Sequence, residues 1–313
     1  MNHLVSGGTC FIGSHLIDQL MKDETNYVFC VDDSDNIVMK NINKWLDNPR
    51  FKLIKQSLLS PLTFETGKIW HLACNDSSSR LLINPIYTTR SIILNTLSLL
   101  ELAKATNSEF LFASSSDVYG NPLPTIQDEQ YHGNVNCIGV RSCIHEGKRV
   151  AESLCFDYQR MFSLRIHIAR IFDVYGPRMD LRNHHVVSEF IYQISNHNVV
   201  AIYGNGRQIR CFCYISDIIS GLQYLMSSIH SGPFNLGNPD KVSISLLALM
   251  ISSILNCDLQ IQYKISRADE AFSLCPSIDL AKNLLHWEPI IPLENGLMET
   301  LLDIQMRQRN NML

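Results

Sequence analysis

The first residues of the chain have the types and spacing of a site for a phosphorylated nucleotide. The stretch SGGTCFIGSHL places Gly7, Gly8 and Gly13 between a short apolar run and a helix-forming segment. Backbone N–H groups at such a helix start attract phosphate, and glycines let the backbone approach a pyrophosphate closely. The next apolar run ends at Asp32, whose carboxylate can bind the two hydroxyls of an adenosine ribose. The glycine turn and Asp32 together predict an NAD site.

The middle position of this turn is not glycine. Gly7, Cys10 and Gly13 occupy the three positions of a GxxGxxG pattern. The Cβ and the sulfur of Cys10 crowd the approach of a pyrophosphate, so we expect weakened dinucleotide binding. A glycine-rich turn that holds no ligand is the alternative interpretation.

Composition describes a globular chain and excludes several partners. With 313 residues, 46% of them apolar and 18% charged, the chain can bury one large core or two linked lobes. The formal charge is −4 and there is no basic block, so nucleic acid is not an expected partner. No charged leader or long apolar run precedes the first strand, and we expect a cytoplasmic protein without a membrane segment. The 10 cysteines form no CxxC pair, which predicts buried reduced thiols and no metal site.

Strand and helix patterns alternate through the first half of the chain. Strands are predicted at 2–5, 27–31, 51–55, 68–74, 110–114 and 164–172, and helices at 12–21, 41–46, 85–106 and 141–160. This rhythm predicts an α/β fold, a Rossmann doubly wound parallel sheet. Ligands of such sheets bind at the carboxyl ends of the strands, where the glycine turn, Asp32, Ala73 and the loop from Ser115 fall.

Beyond Pro177 the regular alternation stops. Helices are predicted at 184–194, at 218–228 with Ser216 and Asp217 as the cap, at 245–255 and from 293, with short strands between them. We therefore predict an NAD-binding Rossmann domain at 1–176. A smaller α+β substrate-binding lobe is predicted at 177–313, with segments that return to the first domain.

Several motifs, in order over nearly the whole chain, resemble UDP-glucuronate decarboxylases of the extended short-chain dehydrogenase/reductase family. They are SGGTCFIGSHL, WHLAC, FASSSDVYG, GNVNCIGVRSCIHEGKRVAE, ARIFDVYGPRM, YGNGRQIRCFCYISD and GPFNLGNP. The resemblance implies tightly held NAD and UDP-glucuronate as the nucleotide-sugar substrate. It also implies a homodimer formed through the helices at 85–106 and 141–160.

The resemblance also implies the site residues. In the family, oxidation at C4 of the sugar gives a 4-keto intermediate, which loses CO₂ and is reduced again to UDP-xylose. This chemistry needs a base, a cation that lowers the pKa of the base, and a steadying hydroxyl. The implied catalytic positions are Ser115, Asp117, Lys148 and Arg210. The implied substrate contacts are Asp173, Arg178, Tyr203 and Arg210. The cofactor positions are Gly7, Gly8, Cys10, Phe11, Ile12, Gly13, Asp32, Leu72, Ala73 and Lys148.

The tyrosine of the family's YxxxK motif is replaced. It should lie four residues before Lys148, where the sequence has Ile144, which has no proton to exchange. General acid–base catalysis typically contributes about 10²–10⁴-fold, so this loss is large. His145 points about 100° around the helix from that position, and we do not expect it to take over the role.

Further departures fall at positions where the family contacts its ligands. Asp117 replaces a longer Glu, and Asp173 replaces an Asn and adds a negative charge near an anionic substrate. The remaining departures are Ile92 for an Asn, Ser57 for an Asp, and SLCPSI at 273–278 for a run rich in arginine.

Two functions from different classes remain open. The motif order favours an active NAD-dependent UDP-glucuronate decarboxylase in which another group replaces the phenol. The departures at ligand positions, with the apolar pattern of the core retained, favour a catalytically impaired homologue that binds nucleotide or acts as a dimer partner. A nucleotide-sugar 4-epimerase or 4,6-dehydratase is a weaker alternative, because epimerases need the same tyrosine and the motifs point elsewhere.

Overall fold

The alternating first half of the chain folds as predicted. The structure is a computed structural model that describes residues 1–32, 38–60, 62–73, 84–123, 126–181, 185–266 and 273–309. In chain order the elements are β1 (Asn2–Ser6), α1 (Phe11–Leu20), β2 (Tyr27–Asp32), β3 (Phe51–Lys55), β4 (Lys68–His71), α2 (Pro85–Thr106), β5 (Glu109–Ser115), α3 (Ser142–Phe162) and β6 (Ile166–Ile171). Two short 3₁₀ turns, Met39–Asn41 and Asn43–Trp45, take the place of the helix predicted at 41–46. The loop expected at 75–80 lies outside the described residues.

The second half has shorter elements. They are β7 (Val174–Tyr175), α4 (Val186–His197), β8 (Val199–Tyr203), β9 (Ile209–Arg210), β10 (Cys213–Tyr214), α5 (Ile215–Met226), β11 (Phe234–Leu236), β12 (Val242–Ser243), α6 (Ile244–Leu255), β13 (Gln260–Lys264), β14 (Ser273–Leu274), α7 (Asp279–Leu285) and α8 (Leu293–Arg309). Small sheets are formed by these strands. One joins β12, β9 and β14, another joins β13 and β8, and another joins β10 and β7. The α7 helix is not among the predicted elements.

The cap predicted for α5 is wrong. The helix begins at Ile215, so Asp217 lies inside its first turn. The Asp217 carboxylate accepts hydrogen bonds from the backbone N–H groups of Ile290 (3.1 Å) and Ile291 (3.0 Å). Asp217 is therefore an anchor for the segment before α8, a contact that a local capping pattern does not reveal.

The central sheet has seven strands in the order β11, β6, β5, β4, β1, β2, β3, and every pair is parallel. The order reverses between β1 and β4, and ligands of doubly wound sheets bind outside the carboxyl ends of the strands at such a switch point. The predicted Rossmann sheet is confirmed. Strand β11 comes from the predicted second lobe and pairs with β6, whereas the boundary at residue 177 stays a prediction.

Helices on both faces of the sheet hold these strand ends in place. On one face, apolar residues of α1 and α5 pack against the sheet, and on the other α2 and α3 do so. The start of α2 follows from local signals, because the Asn84 side chain accepts the Tyr87 N–H (3.0 Å) and Pro85 stands in the first turn. Of the helices that the structure describes, none is both long and apolar enough to cross a membrane.

Candidate active site

The glycine turn lies at the switch point, directly beside the end of β4. Gly7 has φ +69°, and a Cβ on it would lie 2.8 Å from the Cα of Ala73. A Cβ on Gly13 would lie 2.3 Å from the carbonyl oxygen of Gly7. Both positions therefore require glycine, and the two predicted cofactor segments, at Gly7 and at Leu72 and Ala73, are in contact.

Cys10 fits the backbone of this turn. It is the N-cap residue of α1, with φ −75° and ψ −179°, a conformation open to any residue. Its N–H donates to Gly7 O (3.2 Å), and its carbonyl accepts from Ser14 N (2.9 Å). Cysteine at this position does not strain the backbone of the turn, so we expect Cys10 to affect the approach of a ligand. Phe11 and Ile12 follow as the first residues of α1.

Asp32 is held by a residue that sequence reasoning missed. One carboxylate oxygen of Asp32 accepts the Thr9 N–H (3.0 Å) and the Thr9 hydroxyl (2.5 Å). Thr9 also accepts from Val38 N (3.2 Å) and, through its carbonyl, from Asn41 Nδ2 (2.9 Å). The glycine turn and the end of β2 are thus joined through one threonine. A hydroxyl residue inside the turn, before an acidic residue at the next strand end, is the signal in the sequence.

A chain of buried hydrogen bonds links the cofactor turn to helix α2. Ala73 N donates to Ser6 Oγ (3.3 Å), Ser6 Oγ lies 2.8 Å from His71 Nδ1, and His71 Nε2 lies 3.1 Å from Thr96 Oγ1. Burial, aided by the positive charge of Lys148, lowers the pKa of His71 to about 3. His71 is therefore neutral, and it positions the end of β4. Its polar side chain inside an apolar strand is the signal that could have identified it.

Ser115 and Asp117 form a hydrogen-bonded pair at the carboxyl end of β5. Ser115 Oγ donates to Asp117 Oδ2 (3.1 Å) and accepts from Asp117 N (3.1 Å). The bonds close the short 3₁₀ turn Ser116–Tyr119 that follows the strand. The hydroxyl and the carboxylate predicted as catalytic are thus brought together, with the serine at the strand end where ligands bind.

Arg141 and His145 face the other oxygen of Asp117. Arg141 Nη2 donates to Oδ1 at 3.0 Å, and His145 Nε2 lies 3.6 Å from the same oxygen. Burial alone would raise the pKa of Asp117, but the bond from His145 and the charge of Arg141 lower it well below its usual range. Asp117 is a carboxylate throughout the neutral range. Arg141 and His145 were not among the predicted site residues.

Lys148 is buried one helical turn after Ile144. Its Nζ donates to the Ala113 carbonyl (2.7 Å) and lies 4.8 Å from the centre of the Phe112 ring. Ile144 is 2% exposed and packs with Cys143. The turn therefore keeps the lysine and has an inert side chain in the position of the phenol.

Arg210 and Asp173 face each other at a second part of the site. Arg210 Nε lies 3.8 Å from Asp173 Oδ2, and the arginine side chain is 12% exposed against 39% for the aspartate. Asp173 follows β6, whose register places Ile171 beside Ser115. The carboxylate of Asp173 therefore offsets part of the charge of Arg210 close to the serine loop. Tyr203 ends β8, where Lys264 Nζ lies 5.9 Å from its ring centre.

Arg178 has other contacts. Its guanidinium pairs with Asp18 of α1, and its N–H donates to Asp303 Oδ2 of α8 (2.9 Å). These bonds join α1 to the C-terminal helix, and neither partner is a predicted site residue. A role for Arg178 in substrate binding stays a prediction.

The described part of the chain has no group of three or more His, Cys, Asp or Glu side chains that could hold a metal ion. The site consists instead of a nucleotide-type turn at the switch point and a Ser–Asp–Lys cluster at the next strand ends. A Rossmann sheet with these two features defines an extended short-chain dehydrogenase/reductase fold.

Comparison with known proteins specifies the class further. The chain belongs to the family described as GDP-mannose 4,6 dehydratase, which matches residues 4–300. UDP-glucuronic acid decarboxylase 5 of Arabidopsis thaliana is 42% identical over 307 residues, which are 98% of this chain and 90% of the relative. UDP-glucuronic acid decarboxylase 1 of Xenopus tropicalis is 41% identical over 298 residues, 95% of this chain and 70% of the relative. The resemblance stated from the motifs is confirmed.

Solved structures agree with this placement. UDP-glucuronic acid 4-epimerase from Bacillus cereus, in complex with UDP-glucuronic acid and NAD, is 28% identical with a TM-score of 0.87, over 98% of this chain and 99% of its own. UDP-glucose 4-epimerase from Thermotoga maritima, with UDP-glucose, is 25% identical with a TM-score of 0.90, over 98% and 100% of the two chains.

Proposed function

We propose that the chain is an NAD-dependent UDP-glucuronate decarboxylase that converts UDP-glucuronate to UDP-xylose through a 4-keto intermediate. The observation that carries the proposal is the Ser115, Asp117 and Lys148 cluster beside the glycine turn. A relative that is named for this activity matches 98% of the chain.

The residues of the turn fit NAD. Gly7 and Gly13 allow the turn to pack tightly on itself and on the end of β4, where any Cβ would clash with backbone, at the switch point where dinucleotides bind. Asp32 at the end of β2 is the acceptor for ribose hydroxyls, and Leu72 and Ala73 line the neighbouring strand end. NAD, when bound, supplies the reversible oxidation of a secondary alcohol.

The chain's own residues contribute positioning and charge. The Ser115 hydroxyl, oriented by Asp117, is placed to hold the C4 oxygen of the sugar. The Lys148 ammonium provides a fixed positive charge that favours a developing oxyanion. Arg210 provides the cation for the anionic substrate, against the opposing charge of Asp173. A carboxylate β to a carbonyl loses CO₂ readily, so no further acid–base group is needed for that bond.

We also propose a cytoplasmic homodimer formed through α2 and α3. The two helices pack side by side, and they leave large apolar side chains exposed, among them Ile86, Val150 and Met161. Exposed apolar groups on neighbouring helices are typical of a subunit interface. Light scattering of the purified chain tests the dimer, and a monomer at micromolar concentration would refute it.

A specific observation favours a second candidate function. Ile144 is buried and has no exchangeable proton, so a chain without a replacement base would bind nucleotide and dimerise without turnover. Such a chain would be a catalytically impaired homologue that acts as a nucleotide-binding or dimer-partner protein.

Calorimetric titration with NAD⁺ and then with UDP-glucuronate, with the same samples assayed for CO₂ and UDP-xylose, separates the two. Binding of both ligands with product formed supports the decarboxylase. Binding without product supports the impaired homologue. Binding of neither ligand would refute the decarboxylase and the nucleotide-binding homologue, and it would leave the dimer partner.

A further inference from the structure

The two ring nitrogens of the buried His145 have different surroundings, because one faces a carboxylate and the other does not. Its side chain is 7% exposed, and Nε2 lies 3.6 Å from Asp117 Oδ1. Nδ1 is buried and has no hydrogen-bond partner among the residues that the structure describes. A buried polar atom without a partner is costly unless a ligand satisfies it. Of the two ring nitrogens of His145, Nδ1 is therefore the one that has no partner among the described residues.

The helical offset of His145 does not take it away from the reacting groups. About 100° separates it from Ile144 on α3. The 3₁₀ turn after β5 lies against α3, so Asp117 meets His145 from the side. Asp117 in turn holds the Ser115 hydroxyl at 3.1 Å. Asp117 thus lies between His145 and Ser115, in ion-pair range of the first and hydrogen-bonded to the second.

The other groups of the cluster are poor acid–base candidates. Asp117 has a pKa well below its usual range and is a weak base. Arg141 does not release its proton in proteins, and Lys148 is fixed to the Ala113 carbonyl. Histidine is the residue type that exchanges protons near neutral pH. Helix α2 contacts this part of α3 through the uncharged side chains of Thr89 and Ile92.

We propose that His145 is the acid–base residue of this chain and replaces the phenol missing at Ile144, an inference that rests on the proposed function. Asp117 accepts the Nε2–H of His145 and fixes the tautomer in which Nδ1 has the lone pair. A carboxylate that orients a histidine in this way also stabilises the imidazolium that forms.

The step balances on these groups. In the forward direction the C4 O–H bond would break and its proton would go to Nδ1, while the hydrogen of the C4–H bond would leave with both bonding electrons as a hydride, which NAD⁺, when bound, would accept. The imidazolium is held against the Asp117 carboxylate. The bond from C5 to the carboxylate carbon then breaks with loss of CO₂, and C5 takes up a proton from water. In the return step the hydride would go back to C4 and the proton on Nδ1 would go back to the C4 oxygen, so His145 ends as it began.

The tautomer of His145 is the readout that does not depend on turnover. In ¹⁵N-histidine NMR spectra of the full chain at pH 8, assigned with His145→Gln, we expect a protonated Nε2 and a bare Nδ1. Addition of UDP-glucuronate should shift the Nδ1 resonance, because a hydroxyl then donates to it. A protonated Nδ1 in the free protein, or an Nδ1 resonance unmoved by bound UDP-glucuronate, would overturn the proposal.

Turnover of variants gives the second test. His145→Gln should lower kcat by about 10²-fold or more, with unchanged dissociation constants for NAD⁺ and UDP-glucuronate. His145→Gly should regain activity when imidazole is added. His132→Gln, a change at an exposed histidine, is the matched control and should leave kcat unchanged.

The variant Ile144→Tyr distinguishes failure of this inference from failure of the proposed function. In one outcome, Ile144→Tyr turns over, whereas the wild type binds both ligands and is inactive. This would overturn His145 as the base and leave the decarboxylase assignment intact. A His145→Gln enzyme as fast as the wild type would do the same. Inactivity of both the wild type and Ile144→Tyr, with no UDP-glucuronate bound, would overturn the proposed function and the inference with it.

Discussion

Replacement of Asp173 by Asn should tighten the binding of UDP-glucuronate. The Asp173 carboxylate lies 3.8 Å from Arg210 Nε, at the strand ends where the anionic substrate is proposed to bind. The substitution keeps the shape of the side chain, removes one negative charge and releases Arg210 for the ligand. At a separation of roughly 6 Å, one charge pair is worth about 0.7 kcal/mol in water and about 2.8 kcal/mol at an effective dielectric constant of about 20.

The exposure of Asp173, 39% of its side chain, places the effect nearer the lower limit. We therefore expect Asp173→Asn to lower the dissociation constant by about threefold to tenfold, since tenfold corresponds to about 1.4 kcal/mol. Calorimetry at low and high salt measures this, and the gain should shrink as salt screens the charge. Asp258→Asn, at an exposed carboxylate elsewhere in the second lobe, is the control.

UDP-glucose serves as a second ligand in the same assay. It lacks the sugar carboxylate, so its affinity should rise less than that of UDP-glucuronate. Unchanged or weaker binding of UDP-glucuronate to Asp173→Asn would refute the idea that this carboxylate opposes the substrate.

Four further substitutions test other parts of the structure. Ile144→Tyr should place a phenol beside Lys148 and raise turnover by less than about tenfold over the wild type, because the arginine-rich run of the family is still replaced at 273–278. Recovery to ordinary dehydrogenase rates would contradict this. Cys10→Gly should tighten NAD⁺ binding by up to about tenfold in a fluorescence titration, and equal affinities would show that the sulfur does not crowd the pyrophosphate. Asp217→Ala should cost about 2–5 kcal/mol in urea unfolding, because two backbone N–H groups lose their acceptor; a loss below about 1 kcal/mol would argue against the anchor. The pKa of Asp117 is lower in the folded than in the unfolded chain, so its ion pairs stabilise the fold above about pH 4 and do so less as the pH falls. The melting temperature of Asp117→Asn should therefore fall less steeply in acid than that of the wild type. Parallel curves of melting temperature against pH would contradict this.

Local patterns were sufficient for most of the fold. The α2 helix is found at the predicted residues 85–106, because Asn84 and Pro85 mark its start and the apolar spacing continues to its end. The seven residues of α7 give too short a pattern to recognise. Asp217 resembles a local cap, but its partners Ile290 and Ile291 are far away in the sequence. Contacts of this range depend on the tertiary fold.

Some residues of the site could likewise be predicted from local patterns, and others could not. The glycine turn and Asp32 were predictable because strand ends of a doubly wound sheet meet at one edge. The contacts of Thr9, His71, Arg141 and His145 were not, since each depends on which loop packs on which helix. A helical projection gives the direction of His145 but not the presence of Asp117 on that side.

The two isoleucines at family ligand positions, Ile92 and Ile144, are both buried. Ile92 of α2 lies against Gly147 of α3, where a Cβ would approach Ile92 Cδ1 to 3.1 Å, one turn from the buried Ile144. In the family, the resemblance implies an amide and a phenol at positions 92 and 144, polar groups that need partners when buried. The apolar side chains of Ile92 and Ile144 need no hydrogen-bond partner, so they pack between the helices without a ligand. Acid–base function in this chain must therefore lie off the Ile144 face, and in the described structure the pair of Asp117 and the buried His145 meets this condition.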